Sequence, residues 1–218
     1  NGNTASATHV YSVDATTPTL TINTIATDDI LNAAEAGNPL TISGSSTAEA
    51  GQTVTVTLNG VTYTGTVQAD GSWSVSVPPA DLSALTASNY TVSAAVSDKA
   101  GNPASANHNL TVDTSVPVVT INTVAGDDVI NATEHAQAQI ISGSATGAAT
   151  GSTVTVTIGT NTFTTVLDAS GNWSVGVPAA NVTNWPAGTV NIAVSGTNTA
   201  GTTTSITHPV TVDLATVA

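Results

Sequence analysis

The chain says nearly the same thing twice, and that constrains its fold more than any other feature. Asp14-Ala15-Thr16-Thr17-Pro18 returns as Asp113-Thr114-Ser115-Val116-Pro117, 99 positions on. Asp28-Asp29-Ile30-Leu31-Asn32 returns as Asp127-Asp128-Val129-Ile130-Asn131 at the same offset. Further along, Trp73-Ser74-Val75 returns as Trp173-Ser174-Val175, now 100 positions on. An H-x-x-x-V-D segment occurs three times, at His9–Asp14, His108–Asp113 and His208–Asp213. A period of about 100 residues is the length of a whole domain, not of a solenoid repeat, so the pattern predicts an array of independent modules. The repeats span 14–113 and 114–213. Residues 1–13 match the end of a repeat, with Gly2-Asn3 and His9 standing where Gly101-Asn102 and His108 do, and read as the last strand of a preceding one. Residues 214–218 read as the start of a linker to the next.

Within each repeat the hydrophobic period is two. Val54, Val56 and Leu58 alternate with Thr, and Trp73, Val75 and Val77 alternate with Ser. Val154/Val156/Ile158 and Trp173/Val175/Val177 repeat this in the second half. Such alternation marks strands with one buried and one wet face, and no stretch carries a helical stripe longer than a turn. Seven strands are expected in the first repeat, near 19–24, 39–45, 53–58, 61–67, 72–77, 89–97 and 105–112, punctuated by Asn59-Gly60, Asp70-Gly71 and Ala100-Gly101-Asn102. The fold class is therefore all-β: tandem immunoglobulin-like β-sandwiches in an end-to-end array. The tryptophan opening the fifth strand reads as a core anchor.

Charge excludes several functions. Of 218 residues, 14 are acidic and one, Lys99, is basic. Binding nucleic acid or an anionic membrane needs Lys and Arg clusters that are not here. No apolar run is long enough to span a bilayer. Cysteine is absent, so a secreted module of this kind would need another staple or a self-sufficient core.

The acids fall at the ends of the expected strands. A first strand from Pro18 to Thr27 would cross a sandwich, about 33 Å. Asp28, Asp29 and Glu35 then lie at the end opposite Asp14. A last antiparallel strand returns Asp113 to that far pole. The near pole receives Asp14, Asp70 and Asp98. In the second repeat the far-pole set is Asp127, Asp128, Glu134 and Asp213, while Ser170 and Asn198 replace Asp70 and Asp98. Convergent carboxylates without Lys or Arg repel one another, and a hard divalent cation relieves this. Calcium takes six to eight oxygens from carboxylates, amides, carbonyls and water, a list that the neighbouring Asn32, Asn131, Asn102 and Asn198 extend. The competing reading is that these Asp residues only favour turns and caps.

The combination V-D-x-x-x-P, D-D-x-(I/L)-N, D-G-x-W-S-V and A-G-N resembles the bacterial immunoglobulin-like repeats of giant adhesins. The likeness covers essentially the whole chain. It implies export by type I secretion to the bacterial cell surface, a part in virulence, and a long calcium-stiffened stalk. It implies Asp28, Asp29 and Asp113, with Asp127, Asp128 and Asp213, as ligands at inter-domain joints. It also implies partners that are the adjacent repeats of the same monomeric chain, with a host surface touched only by other parts of the protein. The departures at Ser170 and Asn198 put a full near-pole site in the second repeat in doubt.

Two rivals are weaker. His9, His108 and His208 share one repeat position on the face of Leu110 and Val112 and read as core-edge residues, not catalysts or zinc ligands. No nucleophile elbow, P-loop or H-E-x-x-H is present, and adjacent Asp28-Asp29 does not supply opposed glycosidase carboxylates. An enzyme is not expected. A glycan- or receptor-binding module is the alternative, but aromatics make up only 3% of the chain. Trp185, which stands where Leu85 does, is the one aromatic to test for ligand contact; packing is its simpler role.

Overall fold

Alternating valine and threonine settle the architecture. A computed structural model describes residues 3–215, which form two compact units. One runs up to Ile30 and resumes over Asn38–Val112; the other takes Leu31–Gly37 and the chain from Asp113 on. The short segment groups with the second unit, where the Ala33 amide donates to Thr202 Oγ1 at 3.4 Å.

In the first repeat β1 (Leu20–Ile22), β3 (Leu40–Ser46) and β6 (Ser72–Val77) form a three-stranded sheet in the order β1-β3-β6. The second sheet holds β2 (Ile30–Asn32), β4 (Thr53–Leu58), β5 (Val61–Thr66), β7 (Ser88–Ser97) and β8 (Pro103–Asp113), in the order β2-β8-β7-β4-β5. The second repeat copies this. Strands β9 (Val118–Ile121), β11 (Gln139–Thr146) and β14 (Asn172–Val177) make one sheet. The other holds β10 (Val129–Asn131), β12 (Thr153–Ile158), β13 (Asn161–Val166), β15 (Gly188–Thr197) and β16 (Thr203–Asp213), in the order β10-β16-β15-β12-β13. Each repeat is an immunoglobulin-like β-sandwich. Among the described residues helix is limited to single turns such as α1 (Ala33–Ala36), α2 (Pro79–Leu82) and α3 (Ala179–Val182).

The inward residues are the expected ones: Trp73, Val75 and Val77 are buried between exposed serines, and Val54, Val56 and Leu58 on β4 are buried between exposed or half-buried threonines. Trp73 needs a glycine opposite. A Cβ on Gly44 would lie 1.9 Å from the Thr21 carbonyl oxygen and 2.6 Å from the indole, and Gly143 stands in the same relation to Thr120 and Trp173. Trp185 is 5% exposed and belongs to the second core.

Two expectations change. Each described repeat has eight strands, not seven, because a three-residue strand follows the first turn. In the second repeat that strand runs parallel to the last one, with Val129↔Thr211, Ile130↔Val212 and Asn131↔Asp213 in register. The first strand also stops at Ile22 instead of continuing to Thr27. Ala26, Thr27 and Asp29 take positive φ, which breaks extended backbone and folds a tight turn; Ala125, Gly126 and Asp128 do the same in the second repeat. Residues 3–13 carry no strand and are exposed, while residues 1, 2 and 216–218, including Gly2 and most of the expected terminal linker, lie outside the described residues.

Candidate metal sites at the poles of each repeat

At the near pole of the first repeat, the loop between β7 and β8 is closed by Asp98, which is 9% exposed. Its Oδ1 accepts the Asn102 amide at 2.7 Å and its Oδ2 accepts Asn102 Nδ2 at 2.8 Å. That side-chain amide, joined by backbone amides, outweighs burial and holds the Asp98 carboxyl below the usual carboxylate range. Asn102 Nδ2 also donates to the Asp14 carbonyl at 3.2 Å, tying the linker to the loop. Asp14 Oδ1 accepts the Thr16 amide at 3.0 Å. Glu49 Oε2 accepts the Lys99 amide at 3.0 Å. Asp14, Glu49 and Asp98 line one cleft with Thr16, Thr17 and Thr47. Asp70 is not in it; its Oδ1 accepts the Ser72 amide and hydroxyl, at 2.9 and 2.6 Å, and closes its own turn.

The second repeat builds the same pole with fewer carboxylates. Asn198, 6% exposed, accepts the Thr202 amide at 2.8 Å and donates through Nδ2 to the Ser115 carbonyl at 2.8 Å. Ala149 stands two before Gly151 where Glu49 stands two before Gly51. Asp113 is the carboxylate that remains in this linker, and its Oδ1 accepts the Ser115 amide at 3.0 Å; the Ser115 side chain, then that amide, lowers its pKa. Ser170 has lost the role of Asp70, but Asp168 takes it, accepting the Ser170 and Asn172 amides at 2.8 and 2.9 Å.

The far pole is a turn laced to the last strand. In the second repeat Asp127 Oδ1 accepts the Val129 amide at 3.0 Å. Asp128 Oδ1 accepts both the Val124 amide at 2.8 Å and a bond from His208 Nε2 at 2.7 Å. The His208 bond, then the amide, holds Asp128 below the usual range. Asn131 Oδ1 accepts the Thr133 and Glu134 amides, and Glu134 Oε2 accepts the Asn131 amide in return. Asp213 lies opposite Asn131 in register, past the Val129↔Thr211 pair, so it does not sit beside Asp127 and Asp128 as expected; its Oδ1 accepts the Ala215 amide at 2.9 Å. In the first repeat Asp28 Oδ1 accepts the Ile30 amide, and Asp29 Oδ1 accepts the Ile25 amide at 2.7 Å and pairs with His108 Nε2 at 2.6 Å. Asn32 and Glu35 form a reciprocal capping box on α1.

Apart from the His108 and His208 nitrogens, which are taken by Asp29 and Asp128, the side-chain donors at these poles that suit a cation are oxygens, which fits a hard ion such as calcium. The arrangement seen does not close around one: among the described residues no three His, Cys, Asp or Glu side chains gather closely enough to hold a metal. Each carboxylate is turned to a backbone amide instead. Glu49 was missed from sequence because the second repeat has no counterpart to flag it. The Asp–His pairs were missed because their members are 79 and 80 residues apart.

The bacterial Ig-like domain family matches residues 26–114. That stretch is a bacterial Ig-like domain. Over 92% of its length the chain is 40% identical to the Ca2+-stabilised adhesin that helps an Antarctic bacterium reach out and bind ice, with a TM-score of 0.57. Over 91% it is 39% identical to a 1.5-MDa bacterial ice-binding adhesin whose structure concerns host cell surface retention, with a TM-score of 0.54. It spans 50% and 65% of those two chains. No protein of curated function matches it. The Ig-like repeats here are thus similar to those of large Ca2+-stabilised adhesins. Among the described residues no helix is long and apolar enough to cross a membrane.

Proposed function

We propose that this chain is a stalk segment of a giant bacterial surface adhesin. Its Ig-like repeats stand in series, and calcium at the joints stiffens them so that an adhesive tip elsewhere in the protein is held away from the cell. The observation that carries this reading is the 40% identity, across 92% of the chain, to a Ca2+-stabilised adhesin. Within that class the motif pattern is most like the giant Salmonella adhesin, and we extend to this chain the type I export and extracellular placement of such proteins. The role is mechanical, without catalysis.

In this reading Asp14, Glu49 and Asp98 supply carboxylates at the near pole of the first repeat, and Asp70 remains a turn residue. Asp113 with Asn198 serves the corresponding pole of the second. Asp28, Asp127, Asp213, Glu35 and Glu134 supply oxygens at the far poles, with Asp29 and Asp128 already engaged by histidine. Bound calcium would draw carboxylates now turned to backbone amides onto one charge, which relieves their mutual repulsion. Affinity should be that of extracellular modules, about 10⁻⁴–10⁻³ M, so extracellular calcium fills the sites and cytosolic calcium does not.

Isothermal titration of the whole chain tests this. Calcium heat is expected, reduced in Asp98→Asn and in Glu49→Gln, with zinc binding more weakly. Absence of calcium heat, or zinc binding more tightly, would contradict the proposal.

A further inference from the structure

We infer that the cleft between β13 and β14 of the second repeat is a binding site for an uncharged sugar. The inference goes beyond the stalk reading and does not rest on it. The two repeats control for one another, because the cleft is made by residues in which they differ. In the first repeat β5 and β6 are the neighbouring outer strands of the two sheets, and they meet at Gly65. A Cβ there would lie 2.3 Å from the Ser74 carbonyl oxygen and 3.1 Å from Val75 Cγ1, so this spacing admits no side chain. The second repeat has Thr165 at that position. Its side chain holds β13 off β14, and a cleft of about 340 Å³ opens between them. That is roughly the room one or two pyranose rings need.

The lining is polar, and the same divergence sets it. Asp168 stands where Gln68 does, and Asn172 where Ser72 does. Asp168 Oδ1 accepts the Ser170 and Asn172 amides at 2.8 and 2.9 Å, which fixes the carboxylate and leaves Oδ2 for the cleft. Gln68 instead spends its amide locally, donating to the Thr66 carbonyl at 3.1 Å and to the Thr66 hydroxyl at 3.0 Å. Asn122 Nδ2 donates to Ser142 Oγ at 3.2 Å, and its Oδ1 remains an acceptor. Trp173, 2% exposed, closes the floor without offering a ring face.

The class of ligand follows from this lining. A sugar ring carries adjacent hydroxyls, each both donor and acceptor. These match the Asp168 oxygen, the amides of Asn122 and Asn172 and the hydroxyls of Ser142, Thr165 and Ser174. The carboxylate, in a chain with 14 acids and one lysine, turns away phosphorylated and acidic ligands. Recognition by hydrogen bonds without a stacked ring is weak, with a Kd on the order of 1–10 mM for a single sugar.

Amide-resolved NMR titration of the full chain in chelator tests the site apart from calcium. The probes are the methyl pyranosides of galactose, glucose and mannose, with N-acetylneuraminic acid as the charged control. At least one neutral probe should shift the amides of Thr165, Asp168, Asn172 and Ser174 saturably and leave those of Gly65, Gln68 and Ser72 in place. Thr165→Gly, which restores the first-repeat residue, should weaken binding at least about fivefold. Asp168→Asn keeps the oxygen that closes the turn and should weaken binding at least about threefold. Asn172→Ser is an exchange that the first repeat already makes at Ser72; it should weaken binding too, and it keeps the test open if another variant fails to fold. No shift in the cleft from any neutral probe up to about 100 mM would overturn the inference. Equal shifts in the first repeat, tighter binding of N-acetylneuraminic acid, or affinity unchanged in folded variants would overturn it as well. The stalk reading fails separately, on calcium binding.

Discussion

Single residues show how the two repeats have diverged without breaking, because changes come in matched pairs. Asp98 with Asn102 becomes Asn198 with Thr202, and each pair still ties its linker to its loop. Tyr63 donates to Asp81 Oδ2 at 2.8 Å, and burial together with that carboxylate pushes the phenol up to about 12. In the second repeat Phe163 and Asn181 replace both, so no carboxylate is left without its hydroxyl. The aspartates that close turns make stability depend on pH. Burial raises the Asp29 pKa, but the Ile25 amide and His108 bring it below the usual range; Asp128 is lowered chiefly by His208. A carboxylate with a depressed folded pKa contributes stability above its unfolded value of about 4, and that contribution is lost as pH falls through the folded value. The denaturant midpoint should therefore drop as pH falls below about 4, and less steeply in Asp128→Asn. An unchanged midpoint between pH 7 and 3 would contradict the bonding described at these turns.

Elements explain why most of the fold was legible and part was not. Period-two runs such as Val54/Val56/Leu58 located β4 and β6 to the residue, because one face of each strand is buried and the other is wet. The extra strands β2 and β10 escaped because three residues are too few for a period to register. The first strand was drawn too long because its terminating turn uses Ala26 and Thr27 at positive φ, with no glycine or proline to announce it; Gly126 gives that signal only in the second repeat. Asp14 and Asp98, expected at one pole, line one cleft, whereas Asp70 closes its own turn, and Glu49 and the Asp–His pairs depend on contacts between distant segments. The sheet formed by β1, β3 and β6 depends on a glycine for its packing. In Gly44→Ala the new methyl would meet the Thr21 carbonyl, which is backbone and cannot swing aside, as well as the Trp73 ring. Overpacking of this kind costs ~2–3 kcal/mol, and thermal melting should show the first repeat unfolding well before the second. Melting unchanged by the substitution would mean that the indole does not sit against this glycine.

At the scale of the whole molecule, a series of small, independently cored sandwiches becomes, in the stalk reading, something that holds a distance. In the stalk reading, short linkers, acidic poles and a single lysine leave carboxylate repulsion at the joints unopposed unless a cation is shared there. Small polar interfaces between domains bend by default. Calcium bound at the poles should therefore change shape more than it changes the cores, and small-angle scattering of the whole chain reads that directly. The expected result is a longer maximum dimension and a narrower distribution of shapes in calcium than in chelator. Superimposable profiles, measured while calcium is demonstrably bound, would show that the ions only brace loops and would contradict the calcium-stiffened stalk.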